Sequence, residues 1–292
     1  VPFKTCSYDC IYCQLGRTTD KTIARKEYVP LDQVLEEVAR KLAAEPAPDY
    51  IGLAGSGEPT LHSGIGKLIT ALKGITTVPV AVLTNGSLLW MPEVRTDLAQ
   101  ADLVLPSLDA ADPGLFQRVN RPHSAISFES LRRGLIEFTR EFRGSVWLEI
   151  LLLAGITDGD QQVAKLAELA RRIQPERIQL NTVSRPPAED QARAVPARLL
   201  EQLREVFPNG AELITEGGLH DPDQRLERAT ADAEILALLK RRPCTVEGIA
   251  AGLGLHAPQV IKSLDCLRQQ GAITPVRQDE ATYYVPALAD DS

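Results

Sequence analysis

Long apolar runs are missing from this 292-residue chain, and a helix crossing a membrane needs about 20 consecutive apolar residues. No basic-then-apolar signal pattern opens the sequence either, so nothing directs the chain out of the cytosol and a cytoplasmic setting without membrane partners is expected. An excess of positive charge is missing too. With 32 Lys and Arg against 39 Asp and Glu, the net charge is -7, which argues against broad adhesion to nucleic acid, since neutralising phosphates needs clustered cations. An initiator Met is absent: the chain starts at Val1 and reaches its first cysteine at Cys6. It reads as a fragment in which the strand leading into the cysteines is mostly lost.

Cysteine is scarce as well, with five in all. An odd number in a reducing compartment points to metal binding or redox chemistry rather than disulfides. Three of the five fall in CSYDCIYC, as C-x3-C-x2-C at Cys6, Cys10 and Cys13. Two chemistries fit such a loop. A structural zinc site wants a fourth Cys or His, and the nearest downstream candidates are His62 and His123. An iron-sulfur cluster usually takes four thiolates, so a three-cysteine loop leaves one iron with an open coordination position for a reactant.

The 44% apolar and 24% charged composition is that of an ordinary globular protein long enough for a large domain and a small one. From Leu31 the chain alternates helical spacing (Leu31, Val34, Leu35, Val38, Leu42) with short apolar runs at Tyr50 to Ala54, Pro79 to Leu83, Leu103 to Leu108, Val146 to Leu153 and Arg177 to Leu180. Buried, non-alternating strands between helices predict an α/β fold with a parallel sheet. Counting a truncated first strand, about six strand-helix units make a partial (β/α)6 TIM-type barrel, with chemistry at the C-terminal strand ends. After Phe207 the sequence becomes rich in Gly, Asp and Pro, predicting a domain boundary. The resulting division is a catalytic domain over 1–215, a linker over 216–230 and a small domain over 231–292. In the last of these, helical segments at Ala231 to Lys240, Thr245 to Leu253 and Pro258 to Gln270 precede a hairpin from Ala272 to Val285, which reads as a winged helix.

C-x3-C-x2-C with an aromatic before the last cysteine resembles the radical S-adenosylmethionine (SAM) enzymes. Later strand ends add to the likeness: GSGEPT after the first run is similar to the family's Gly-Gly-Glu-Pro motif with Ser56 in place of its first Gly, followed by LTNG, PSLDA and LNT. CSYDCIYCQLG, GSGEPTL and LNTVSRPP together resemble the subgroup of the tRNA wyosine-synthesis enzymes. The resemblance covers roughly Val1 to Thr215. It implies a 4Fe-4S cluster on Cys6, Cys10 and Cys13, with SAM on the fourth iron cleaved reductively to a 5'-deoxyadenosyl radical. It further implies that Gly57 and Glu58 serve the methionine end of SAM, that Asn85, Ser107, Asp109 and Asn181 hydrogen-bond its ribose or carboxylate, and that Tyr12 lies beside the adenine. A reductant of flavodoxin or ferredoxin type is implied too.

Blander readings stand beside these. Glu58 suits a helix start, Ser107 and Asp109 suit capping, and Arg118, Arg121, His123 and Arg185 are either substrate contacts at the barrel mouth or solvated surface. Cys244 and Cys266 are expected to pack as small hydrophobes. The winged helix has a charge of about -2, which favours protein contact or substrate presentation over duplex binding. Arg17, Lys21, Arg25 and Lys26 keep RNA open as a partner beside protein. An alternative function is a winged-helix regulator that senses iron, redox state or SAM without turnover.

Overall fold

In the computed structural model, which describes residues 1–44, 47–208, 210–214, 231–255, 257–278 and 281–287, the apolar runs become parallel strands. They are β3 (Ile51–Leu53), β4 (Val80–Thr84), β5 (Leu103–Pro106), β6 (Ser145–Leu152) and β7 (Arg177–Thr182), joined by β8 (Glu212–Leu213). Every pair is parallel and the spatial order follows the chain, β3-β4-β5-β6-β7-β8. Sequential order with crossovers of one hand puts the intervening helices on a single face of the sheet. The side chains agree. Along β6 the residues alternate half-buried and fully buried, so Val146, Leu148, Ile150 and Leu152 face the helices while Trp147, Glu149 and Leu151 face the other side.

The covering layer is α2 (Ile65–Ile75), α3 (Pro92–Leu98), α4 (Pro113–Val119), α5 (Phe128–Glu141), α6 (Asp160–Ile173) and α7 (Ala197–Leu203). Local chemistry sets their ends: Asp112 accepts the Leu115 N–H at the start of α4, with Pro113 at its first turn, and Ser127 and Ser130 cap each other's backbone at α5. Ile69, Leu72, Leu135, Phe138, Val163 and Leu166 from these helices form one core with the inward faces of the strands. The earlier helix α1 (Leu31–Ala44) has its apolar stripe at the expected spacing, yet none of its residues is buried.

The count of strands differs in origin from the sequence expectation. The segment before the cysteines contributes only β1 (Thr5–Cys6), which pairs with β2 (Asp20–Lys21) outside the main sheet. The sixth strand is instead β8, in a stretch read as the start of a boundary. Two residues are too few to show any periodicity, so their pairing to Gln179 and Leu180 of β7 could only come from the folded chain.

The predicted linker over 216–230 lies outside the described residues, as do the side chains of Lys262 and Cys266. Beyond it are α8 (Ala231–Arg241), α9 (Val246–Leu253), α10 (Ala257–Gln269) and an antiparallel hairpin of β9 (Ile273–Gln278) and β10 (Ala281–Pro286). Gly254 ends α9 in the left-handed conformation, at φ 63°, which makes the sharp turn towards α10. A separate core of Ile235, Leu239, Cys244, Ile249, Val260, Leu264 and Ile273 holds this unit together, and Cys244 exchanges backbone hydrogen bonds with Tyr284. Three helices and a ribbon with this order form a winged helix.

Candidate functional site

The cysteine loop is held by the residues between its cysteines. Tyr8 and Ile11 are buried in the core while Cys6, Cys10 and Cys13 remain half-buried, so the C-x3-C-x2-C spacing alternates anchors with thiols. Tyr8 stacks edge-on against Phe116 with ring centroids 5.4 Å apart. Backbone bonds then fix the loop to three neighbouring segments: Glu58 N–H to Thr5 O (3.1 Å), Asp9 N–H to Asn120 O (3.0 Å) and Glu189 N–H to Ile11 O (3.0 Å). Gly16, at φ 81°, closes the loop in a turn whose N–H donates to the Cys13 carbonyl (2.9 Å).

Of the residues expected at the strand ends, Gly57, Glu58, Asn85 and Asp109 contact this loop, whereas Ser107 and Asn181 meet at Glu149. Glu58 is 2% exposed, and its Oε1 accepts from Thr60 N–H, Thr60 Oγ1 and Thr84 Oγ1, while Oε2 accepts the Asn85 N–H. It also caps the one-turn helix Pro59–Leu61, so the helix-start reading holds for it as well. The Asn85 amide Nδ2 lies 3.5 Å from Cys6 Sγ and 3.0 Å from Ser7 Oγ. Asp109 is buried and accepts from Tyr12 Oη, Asn120 Nδ2 (2.9 Å) and the Leu151 N–H (3.1 Å). Ser107 extends the sheet towards Glu149 through an isolated parallel bridge. Asn181 donates from Nδ2 to Glu149 Oε1 (2.5 Å) on the neighbouring strand. Gly57 lies directly against the Thr5 backbone.

Burial governs the protonation of these groups. Desolvation pushes the Cys6 thiol up to about 12, with the Glu58 charge adding to it. It also raises Cys10 and Cys13. The carboxyls of Glu58, Asp109 and Glu149 are raised by burial as well, opposed in each by hydrogen bonds to the ionised form. A thiolate here is therefore costly in the metal-free chain and is favoured when a cation binds it.

Of the expected substrate contacts, Arg121, His123 and Arg185 lie beside the cysteine loop but are largely occupied. Arg121, with φ 46°, forms a two-pronged pair with Glu189, whose second partner Arg17 also reaches Asp9 at 2.8 Å. His123 accepts the Ala125 N–H at its ring Nδ1 (3.2 Å), and Arg185 donates to Gln14 Oε1 (2.9 Å). Arg118 is exposed at the end of α4. Of the four cations near the loop, Arg25 is half-buried and bound to Asp97 and to the Thr60 carbonyl, while Arg17, though ion-paired, is exposed together with Lys21 and Lys26.

Asn120, Glu149 and Glu189 are the participants that sequence reasoning missed. Asn120 sits between two arginines that drew attention by their charge, and the only local signal was the NRP turn. Glu149 could have been found as a lone acid inside an apolar strand. Glu189 gives no signal before the chain folds.

A family model described as the radical SAM superfamily matches residues 1–167. The chain belongs to the radical SAM superfamily. Among curated proteins it is 30% identical over 253 residues to the UPF0026 protein MJ1312 of Methanocaldococcus jannaschii, covering 85% of this chain and 78% of that one. It is also 36% identical over 274 residues to a Brachyspira hyodysenteriae protein named GTPase Obg, covering 94% of this chain and only 40% of that longer protein. Solved structures share the fold: a radical SAM methyltransferase from Sphaerobacter thermophilus (TM-score 0.55, 19% identity, covering 72% of this chain and 62% of that chain), and SuiB of Streptococcus suis bound to S-adenosylmethionine (TM-score 0.55, 16% identity, covering 77% and 50%). A second family model, bacterial regulatory protein of the arsR family, matches residues 233–274 within the winged helix.

The donor set suits a radical SAM cluster better than zinc. A cluster takes one thiolate on each of three irons, the number that Cys6, Cys10 and Cys13 supply. His62 has both ring nitrogens engaged, Nε2 towards Val29 O (2.9 Å) and Nδ1 accepting the Gly64 N–H (3.0 Å), whereas His123 uses Nδ1 to accept the Ala125 N–H (3.2 Å). Among the described residues no helix is long and apolar enough to cross a membrane.

Proposed function

We propose that this chain is a radical SAM enzyme in which Cys6, Cys10 and Cys13 hold a 4Fe-4S cluster and SAM binds over it. The observation that carries this reading is the gathering of Glu58, Asn85 and Asp109, from the ends of three successive strands, β3 to β5, around a half-buried three-cysteine loop. When bound, the cluster supplies one electron to cleave SAM to a 5'-deoxyadenosyl radical, which takes a hydrogen atom from the substrate.

The chain's own residues position and shield. Gly57 lets the GSGEPT turn lie on the strand that carries Cys6, and Glu58 binds this turn to the end of β4 by accepting from Thr84 Oγ1 and the Asn85 N–H. These two set the methionine end of the SAM site. Tyr12 and Asp109 brace each other beside the loop. Asn85, Ser107 and Asn181 line the rim for the ribose and carboxylate. Tyr8 and Ile11 exclude water from beneath the cysteines.

The substrate enters over the face of the sheet opposite the helices. RNA and protein both fit a site open on that side; the engagement of Arg17, Arg25 and Arg121 in ion pairs favours a substrate read by something other than a phosphate backbone. Arg118, Arg185 and His123 remain the first residues to test as contacts. A flavodoxin or ferredoxin supplies the electron, in a cytoplasm that keeps the thiols reduced. The catalytic unit is 1–215 and the winged helix 231–292, joined by 216–230.

The test is anaerobic reconstitution with iron and sulfide, addition of dithionite and SAM, and chromatography for 5'-deoxyadenosine, with the Cys6, Cys10 and Cys13 triple-Ala variant as control. Product in the parent alone supports the reading. An intact cluster with bound, uncleaved SAM in the presence of candidate substrates would instead support a sensor.

A further inference from the structure

Asn120 is 2% exposed and ends α4, where its carbonyl already holds the Asp9 N–H of the cysteine loop. Its side-chain Nδ2 lies 2.9 Å from Asp109 Oδ2, 3.6 Å from Cys10 Sγ and 3.4 Å from Tyr12 Oη. Asp109 also accepts from Tyr12 and from the Leu151 N–H, so it acts as an acceptor and fixes the nitrogen end of the Asn120 amide towards itself. One amide hydrogen serves Asp109. The second points into the space shared by the Tyr12 oxygen and the Cys10 sulfur. Across the loop Asn85 makes the corresponding contact to Cys6, at 3.5 Å.

We infer that Asn120 is a positioning residue that donates an N–H to the Cys10 sulfur and thereby raises the reduction potential of the cluster bound there. The inference rests on the cluster reading above. Reduction adds negative charge that is shared with the cysteine sulfurs, and a fixed donor at a sulfur stabilises the more negative state. In a site with little water, a hydrogen bond to a charged acceptor is worth more than a neutral one. Losing it lowers the equilibrium constant for reduction about tenfold, which for a one-electron couple is about 59 mV towards more negative potential.

The experiment is a dithionite titration of the reconstituted wild type and Asn120→Ala, followed by electron paramagnetic resonance, with iron and sulfide counted in each sample. A variant with full cluster content and a potential lower by about 59 mV supports the inference. A fully loaded variant with wild-type potential overturns it. Should Asn120→Ala fail to hold its cluster, Asn120→Ser, whose hydroxyl is too short to reach Cys10, decides by the same shift. Loss of the cluster in both variants also overturns the inference, because Asn120 then has a purely structural part. Failure of the wild type to assemble any cluster would sink the cluster reading itself, and is seen before any variant is compared.

Discussion

A Cβ built on Gly57 would lie 1.8 Å from the carbonyl oxygen of Thr5, inside any tolerable contact. Glu58, the next residue, donates its N–H to that same oxygen at 3.1 Å. The glycine therefore exists in this structure for the chain itself: it lets the turn after β3 lie on the strand that presents Cys6. Gly52, in the middle of β3, meets nothing within 4 Å at the corresponding position.

Gly57→Ala is expected to cost about 2 kcal/mol or more, because backbone rather than a flexible side chain must give way. Loss of the Glu58 to Thr5 bond should also release iron faster from the reconstituted protein. Gly52→Ala should change stability by less than about 0.5 kcal/mol. Urea unfolding of both variants checks the pair, and equal effects would remove the steric explanation.

Tyr8 packs edge-on against Phe116, and its buried hydroxyl has no hydrogen-bond partner among the described residues. Removing that hydroxyl while keeping the ring should raise stability by about 1 kcal/mol in Tyr8→Phe. Removing the ring in Tyr8→Ala should cost about 3–5 kcal/mol. A destabilised Tyr8→Phe, measured by thermal or urea unfolding, would show that the hydroxyl has a role beyond packing.

The contrast between Gly57 and Glu189 shows what could be read before folding. Strands β3 to β7, the helices between them and the winged helix were visible because each carries its own periodicity or turn chemistry. Positions at strand ends carried the candidate site for the same reason. Gly57 was expected at a close approach, but the approaching group was taken to be a ligand rather than the Thr5 carbonyl. Glu189 joins Arg17, 172 residues away, and Arg121, 68 away, so no local pattern could reveal it. Asn120 was hidden likewise: its partners Cys10 and Asp109 come together only when the loop docks on α4. Side-chain pairing across the rim is a property of the fold, whereas the backbone plan is largely local.

Glu189 offers a pH test of the clamp. Its hydrogen bonds to Arg121, then to Gln191, hold its carboxyl down at about 2, against an ordinary value of 4.5. Between those values the unfolded chain binds more protons than the folded one, so stability from this group rises with pH across that window and is flat above it. Glu189→Gln should cost about 1 kcal/mol near neutral pH, in the range of a well-formed but partly exposed ion pair. The difference from wild type should shrink as pH falls from 4.5 towards about 2. Taking the difference cancels the opposite contributions of Glu58 and Asp109, whose raised carboxyls remain in both proteins. A gap that persists undiminished at the acid end would exclude the ionised carboxylate as its source.

Cys244 tests whether the winged helix has any part in metal binding. It is 2% exposed within the small core of Ile235, Leu239 and Ile249, and its Sγ lies 3.6 Å from the Arg242 carbonyl. A buried thiol in apolar surroundings behaves as a small hydrophobe. Cys244→Ala should therefore cost about 1 kcal/mol in the unfolding of the C-terminal unit, while iron and sulfide per chain after anaerobic reconstitution stay at the wild-type level. The Cys10→Ala variant is expected to give the opposite pattern, since Cys10 is half-buried at the edge of the core and is one of the three proposed cluster ligands: iron falls, and the winged helix unfolds as before. Iron lost from Cys244→Ala would place a second metal site in the winged helix and would require a new reading of that domain.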